Sequence, residues 1–277
     1  MTLVQRPLAG SGGHVLPVPN SNPETASGAQ LAPNATLAAR IDVTDSLAIF
    51  SVVLDEPLSG FRPGQYVSVG VFADGAFVQR PYSVVTLRGD GDRVELFIRR
   101  LATGAMTTLL WGLTPGSRIR LGPPRGLFVL DALDARPRLF IGTGTGLAPL
   151  LAMLDALVTH GDQSPNVLIH GVSYQGEFGY AARIGGWVNA GLDLWYVPTV
   201  SRPDDALNSA WSGTAGRADA VLAQVLEADP SLAGGVAYMC GNSNMIEACR
   251  ETLLNAGLRR EDVRAEQFHV APVTQRV

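Results

Sequence analysis

Apolar residues follow two rhythms along this chain. Across residues 37–135 they form short runs rich in Val, Ile and Phe, at 38–43, 48–54, 65–71, 79–86, 93–99 and 118–121. Turn formers separate these runs: Asp55-Glu56-Pro57, Arg62-Pro63-Gly64, Asp74-Gly75, the segment 89–92 and Pro115-Gly116. Short, closely spaced strands of this kind predict a six-stranded antiparallel barrel, with one short helix near 106–112. After Pro137 the pattern alternates between strand and helix. Strands are predicted at 138–141, 166–170, 193–197 and 235–240, and helices at 147–159, 178–190, 217–226 and 243–256. Such alternation predicts a parallel, Rossmann-like sheet covered on both faces. The fold class is therefore β followed by α/β. The expected boundaries are a flexible arm at 1–36, rich in Gly, Pro, Asn and Ser, a barrel domain at 37–135, and an α/β domain with a C-terminal tail at 136–277.

Composition narrows the chemistry. The 277 residues suffice for two domains of ordinary size, and 46% hydrophobic with 17% charged residues supports buried cores. The net charge is −4 and no basic run exceeds a pair of arginines, so no nucleic-acid footprint is expected. All 21 basic residues are arginine. Without lysine, the chain can form neither a phosphate-binding P-loop nor a Schiff base. Cys240 and Cys249, with four scattered histidines, show no metal-ligand spacing, and two cysteines cannot ligate an iron–sulfur cluster. Apolar runs are broken well short of a membrane span, and the first residues lack the build of a secretory signal. A cytoplasmic, monomeric protein without membrane contact is expected.

One segment carries a binding signal by itself. Gly142-Thr143-Gly144-Thr145-Gly146 closes an apolar strand and opens an apolar helix. Glycines there allow close backbone approach, and a helix N-terminus attracts phosphate. The third glycine comes one residue too early for the usual dinucleotide fingerprint, and no acidic residue closes the following strand, which ends His170-Gly171-Val172-Ser173. This points away from an ordinary NAD-dependent dehydrogenase.

The order of motifs resembles that of the ferredoxin–NADP(+) reductase family, over roughly residues 37–268. Arg80-Pro81-Tyr82-Ser83 resembles its flavin-binding signature, Gly142–Pro149 its nicotinamide-nucleotide turn, and Cys240-Gly241-Asn242 its third signature. Gly104-Ala105-Met106-Thr107-Thr108 is similar to its flavin-pyrophosphate segment, and residues 122–128 to its barrel-closing loop. The resemblance implies FAD in the barrel and NADP(H) on the sheet, with hydride passing to flavin N5. Arg80 would meet the FAD pyrophosphate, Tyr82 the isoalloxazine face and Ser83 the N5 edge, with Pro81 between them also at the FAD. Gly104, Met106 and Thr107 would sit at the pyrophosphate, and Phe268 would cover the second flavin face. Cys240 would lie beside the nicotinamide, next to Gly241, and Glu266 would be the acidic group at the flavin edge. Read as residues alone, Cys240 competes as a buried core cysteine and Glu266 equally as a solvated glutamate, whereas a barrel-core Tyr82 and a solvated Arg80 fit the apolar strand less well.

Two features depart from the family pattern. Many bacterial relatives carry arginine where this chain has Ser173, so the 2′-phosphate of NADP would fall to Arg202 and Arg217, with Ser173 as a hydrogen-bond donor; the alternative for both arginines is surface charge. The tail 269–277 is also foreign to the pattern. The function implied is electron transfer between NADPH and a separate ferredoxin or flavodoxin. Two alternatives stay open: an NADH-dependent flavin reductase or oxygenase reductase component, and a non-catalytic flavin-binding module.

Overall fold

The computed structural model describes residues 32–73 and 75–267. Phe268, the tail and most of the arm lie outside them. Strands β1 (Ala35–Thr44), β2 (Leu47–Leu54), β3 (Tyr66–Ala73), β4 (Ala76–Arg88), β5 (Arg93–Arg99) and β6 (Arg118–Leu121) close an antiparallel barrel in the order β1-β2-β5-β4-β3-β6. The alternation that predicted strands also fills the barrel: Ala48, Phe50, Val52 and Leu54 of β2 and Val94, Leu96 and Ile98 of β5 point into one core. β1 begins ahead of the expected boundary at residue 37. The Asn34 carboxamide binds the Leu121 backbone through both N–H and C=O, at 3.0 and 2.8 Å, which fastens the chain to β6 and lets β1 start there. Helix α1 (Ala105–Gly112) crosses between β5 and β6.

The second half is a six-stranded parallel sheet. Its strands are β7 (Arg138–Thr143), β8 (Asn166–Val172), β9 (Leu194–Val200), β10 (Thr214–Ala215), β11 (Val236–Gly241) and β12 (Val263–Gln267), in the order β10-β9-β8-β7-β11-β12. Helices α2 (Leu147–His160) and α3 (Ala181–Asn189) cover one face; α4 (Ala218–Ala228) and α5 (Ser243–Asn255) cover the other. Successive β7 residues serve opposite faces, Leu139 and Ile141 toward α4 and α5, Phe140 toward α2. The pattern did not reveal β10 or β12. The former is two residues long, and the latter, Val-Arg-Ala-Glu-Gln, lacks an apolar run. The helix expected from 178 begins at Ala181, because residues 175–177 form a separate 3-10 turn ahead of it. Among the described residues, no helix is long and apolar enough to cross a membrane.

The two halves share a core. Leu47, Val85, Phe97, Phe128 and Leu130 of the barrel half join α2, α3 and the sheet in one apolar cluster. The outward face of β5 forms a seam of three contacts two residues apart. Glu95 pairs with Arg183 at 2.8 Å, the Phe97 ring meets Tyr180 edge-on at 5.2 Å, and Arg99 pairs with Glu177 at 2.7 Å. Gly179 lets the chain lie against this face, since a side chain there would press on Val43 at 3.0 Å and Phe97 at 3.3 Å. The Thr86 hydroxyl adds a hydrogen bond to Asp155 of α2 at 2.8 Å.

Phe97 is the apolar centre of this seam, and truncating a buried phenylalanine costs about 3–5 kcal/mol. Phe97→Ala is expected to lower the urea-denaturation midpoint accordingly. Unchanged stability would show that the halves do not depend on this contact.

Candidate functional site

The carboxyl ends of the parallel strands form one edge of the sheet, and strand order reverses there between β7 and β11. Ligands of open α/β sheets bind in the crevice at such a switch point. Register places the candidates along this edge. Val172, Val200 and Ala215 end β8, β9 and β10 side by side. Ser173, Arg202 and Gly216-Arg217 therefore follow in a row. Gly144 follows β7, and Cys240 faces Glu266 across β11 and β12.

The glycines of the turn after β7 have different roles. A side chain at Gly142 would meet Leu150 Cδ1 at 2.9 Å and Leu147 Cα at 3.3 Å, so this glycine lets α2 pack on the sheet. One at Gly146 would run into the Cys240 carbonyl, with the Gly241 Cα at 2.7 Å. Gly241 in turn has φ 142° and abuts the Thr143 hydroxyl, which accepts a hydrogen bond from the Asn242 N–H at 3.2 Å. Gly146 and Gly241 thus let the two loops of the switch point pack against each other, while Gly142 seats α2 on the sheet. Gly144 differs. Its φ is 54°, and among the described residues the only neighbour its side chain would meet within 4 Å is the Arg99 guanidinium, at 3.9 Å. The backbone there is open to a phosphate, with Thr145 and the start of α2 behind it.

The flavin-signature residues lie on β4. Arg80 and Pro81 are exposed, and the Arg80 guanidinium donates only to the Gln79 carbonyl, at 2.7 Å, with no carboxylate partner among the described residues. Tyr82 is half-buried with one side on the barrel core. Burial pushes its hydroxyl up to about 12, and the nearby Arg80 charge partly offsets this. Ser83 is buried opposite Tyr66 of β3. At α1, Met106 is a barrel-core side chain, and the Thr107 hydroxyl accepts from the Leu101 N–H at 3.1 Å and donates to the Gly104 carbonyl at 3.0 Å. The Thr107 hydroxyl expected at a pyrophosphate is thus engaged in its own loop. What α1 retains for an anion is the unpaired N–H groups of its first turn.

Barrel and sheet meet at Ser83, Glu266 and Cys240. Glu266 is not a solvated carboxylate: burial pushes its pKa up to about 7, and the neighbouring Ser83 hydroxyl lowers it only in part. Even so, neither Ser83 Oγ nor Glu266 Oε2 has a hydrogen-bond partner of ordinary geometry among the described residues. Such orphaned groups cost about 1–3 kcal/mol each, and a polar ring bound here would satisfy both. Cys240 is fully buried in the shared core cluster, and burial together with the Glu266 charge pushes its thiol well above the usual range. It is a core cysteine by packing and adjoins the site by position. Gly126, with φ 110°, leaves room for the Tyr66 ring at 3.2 Å, and Glu266 Oε1 lies just beyond at 3.8 Å.

At the other end of the edge, the Arg202 guanidinium lies over the Tyr174 ring at 5.3 Å and donates to the Tyr174 hydroxyl. Arg217 is exposed and pairs with Asp219 at 3.1 Å. Sequence reasoning missed Tyr66, Glu177 and Asn208, and left the face of Arg99 on its barrel strand unassigned. Only Glu177 left a signal, since Tyr174-x-x-Glu177 has the spacing of a capping box. Among the described residues, no group of His, Cys, Asp and Glu is arranged to hold a metal.

Comparison with known proteins agrees with this division. Residues 34–130 match a family described as the oxidoreductase FAD-binding domain, and residues 140–251 one described as the oxidoreductase NAD-binding domain. The chain is 28% identical to ferredoxin–NADP reductase B of Sorangium cellulosum, over 75% of this chain and 85% of that protein. It is 30% identical to the ferredoxin–NAD(P)(+) reductase component of a Pseudomonas putida naphthalene 1,2-dioxygenase system, over 84% and 68%. It spans only 63% of a toluate 1,2-dioxygenase electron transfer component from Pseudomonas putida, which is also 30% identical over 81% of this chain. The crystal structure of an Amycolatopsis cytochrome P450 reductase superposes with a TM-score of 0.75 at 27% identity, covering 85% of this chain and 69% of that one.

Glu266 predicts a pH effect whose sign follows from its raised pKa. Between about 4.5 and 7 the folded state holds a proton that the unfolded state releases, so stability falls as pH rises through this window. The full loss, about 3 kcal/mol, is in place above pH 7. Glu266→Gln is therefore expected to be more stable than the parent at pH 8 and no more stable at pH 4. Urea denaturation at both values checks this, and parallel profiles for the two proteins would refute the burial of Glu266.

Proposed function

The chain belongs to the ferredoxin–NADP(+) reductase family of oxidoreductases, and on that premise we propose that it moves electrons between NADPH and a separate ferredoxin or flavodoxin. FAD, when bound, supplies the chemistry of accepting a hydride and releasing electrons singly. The observation that carries the reading is the meeting of Ser83 from the barrel with Glu266 from the sheet, each with a buried oxygen that has no partner among the described residues. The protein's own contributions are positional. The Arg80 guanidinium, without a carboxylate partner among the described residues, and the first-turn N–H groups of α1 would hold the FAD pyrophosphate. Tyr82 offers a half-exposed ring to the flavin. Ser83 offers a hydroxyl to its polar edge, and Glu266, ionising near neutrality, holds or releases a proton beside it. Cys240 supplies tight apolar packing that keeps water from the end of β11. At the far end, Arg202 with Ser173 and Arg217 would receive the 2′-phosphate.

A second reading rests on Ser173. Without an arginine there, the chain also fits an NADH-dependent reductase component of an oxygenase; several of its relatives are reductase or electron transfer components of oxygenases. The non-catalytic alternative differs from both in one observable: the flavin would not be reduced.

Anaerobic mixing with NADPH is expected to bleach the bound flavin, and adding ferredoxin or flavodoxin to restore its colour. No bleaching with either nucleotide would leave the non-catalytic reading; faster bleaching with NADH would favour the oxygenase component. Arg80→Ala is expected to lose FAD during purification, because removing a charge-assisted contact costs about 1.5–3 kcal/mol, or roughly ten- to 150-fold in affinity. Full flavin occupancy in that variant would exclude Arg80 from the site. Arg202→Ala should weaken NADPH by a similar factor and leave NADH unchanged, with the preference shrinking in added salt. Steady-state kinetics with both nucleotides measure this, and equal loss for both would return Arg202 to surface charge.

A further inference from the structure

Parallel pairing between β8 and β9 stops at Val172 and Val200, and the last backbone bond across the pair runs from the Ser201 N–H to the Val172 carbonyl at 2.9 Å. Ser173 and Arg202 lie beyond it. One buried side chain takes over from the ladder there. The Asn208 carboxamide nitrogen donates to the Ser173 carbonyl at 2.9 Å and to the Arg202 carbonyl at 2.7 Å. Its oxygen accepts from the Gln175 N–H at 2.7 Å. Asn208 is 2% exposed, and both of its donors are engaged. Asp205 caps the short 3-10 turn that presents it, accepting from the Leu207 N–H at 2.9 Å. From the opposite side, Glu177 accepts from the Ser173 and Tyr174 N–H groups at 3.0 and 3.3 Å. The turn carrying Ser173 and Tyr174 is therefore held on both sides, and Tyr174 is the ring on which Arg202 rests.

We propose that Asn208 is a positioning residue for nucleotide specificity, which sets the spacing between Ser173 and Arg202 so that together they receive a phosphomonoester on the adenosine ribose. The inference rests on the nicotinamide-nucleotide reading above. Asn208 itself touches no ligand and acts through the backbones of the two residues that do. Preorganisation matters most for this group. A hydroxyl and a guanidinium must converge on one dianion, and Arg202 is a long side chain on an exposed loop whose freedom is otherwise lost on binding. An unphosphorylated ribose makes no such demand. Asn208 should therefore affect NADPH and not NADH, whereas an asparagine that merely stabilised its loop would affect both.

The experiment is a double-mutant cycle on the flavin-loaded protein, reading KM and kcat with NADPH and NADH for the parent, Asn208→Ala, Arg202→Ala and the double variant. In Asn208→Ala, the KM for NADPH is expected to rise about tenfold, with kcat and both NADH constants within twofold of the parent. On the Arg202→Ala background, Asn208→Ala is expected to add little, because the guanidinium whose spacing from Ser173 it sets is gone. Equal increases for both nucleotides, or a full tenfold effect on that background, would overturn the proposal. Asn208→Ser, which retains one donor, should keep part of the preference. If neither Asn208 variant binds FAD and turns over NADH, the residue is required for folding and the specificity role is refuted. If Arg202→Ala leaves the NADPH-to-NADH ratio unchanged, the NADPH reading fails and this inference falls with it. If Arg202→Ala collapses the ratio and Asn208→Ala does not, only this inference fails.

Discussion

The outward face of β5 is the constraint on which the site depends. A β-strand presents alternate residues to opposite sides. Here Val94, Leu96 and Ile98 fill the barrel, while Glu95, Phe97 and Arg99 meet the α/β half. One strand thus belongs to two cores. Rotating or sliding the α/β half would break a buried aromatic contact and two ion pairs at once. The distance from Ser83 on the barrel to Glu266 on the sheet is held by this seam, as is the approach of Arg99 to the open backbone at Gly144. Glu177 extends the effect: one carboxylate oxygen receives Arg99, and the other receives the Ser173 and Tyr174 N–H groups.

Around this frame the site is sheltered where Ser83 meets Glu266 and exposed at Arg80 and Arg202. Burial pushes the Glu266 carboxyl up to about 7, because less solvent reaches it to stabilise its charge. The same low-dielectric setting holds His170 neutral, with its pKa pushed down to about 3; its Nδ1 meets the Tyr196 hydroxyl at 3.2 Å and its ring sits edge-on to Phe178 at 5.0 Å. In such surroundings electrostatic contacts are stronger than in water. That favours a few well-placed groups over many where Ser83 meets Glu266; at the other end of the sheet edge Arg202 lies exposed over Tyr174, where solvent and salt screen its charge.

The glycine-rich turn shows how a motif and its physical use differ. As a string, Gly142, Gly144 and Gly146 look alike, and all three invite the same phosphate. In space, Gly142 admits a helix and Gly146 admits a neighbouring backbone, and only Gly144 is open. Thr107 teaches the same lesson. Its hydroxyl has the right chemistry for a phosphate but bonds the loop that holds it.

The chain's own patterning determined the barrel, the parallel sheet and the main helices, because hydrophobic periodicity is a local property that burial merely reads out. It also placed the Gly144 turn at a strand-to-helix junction and, through the order of its motifs, Arg80, Tyr82 and Ser83 on a barrel strand. Tertiary structure alone decided the rest. Glu266 could be a solvated or a buried acid until β12 paired beside Cys240. Arg99 was one more charge in an alternating strand until Glu177 met it. Asn208 lay far along the chain from Ser173 until a loop folded back beneath the sheet edge. Each of these roles depends on a partner distant in sequence, and no periodicity or local spacing encodes which distant group will arrive or how much water it will displace.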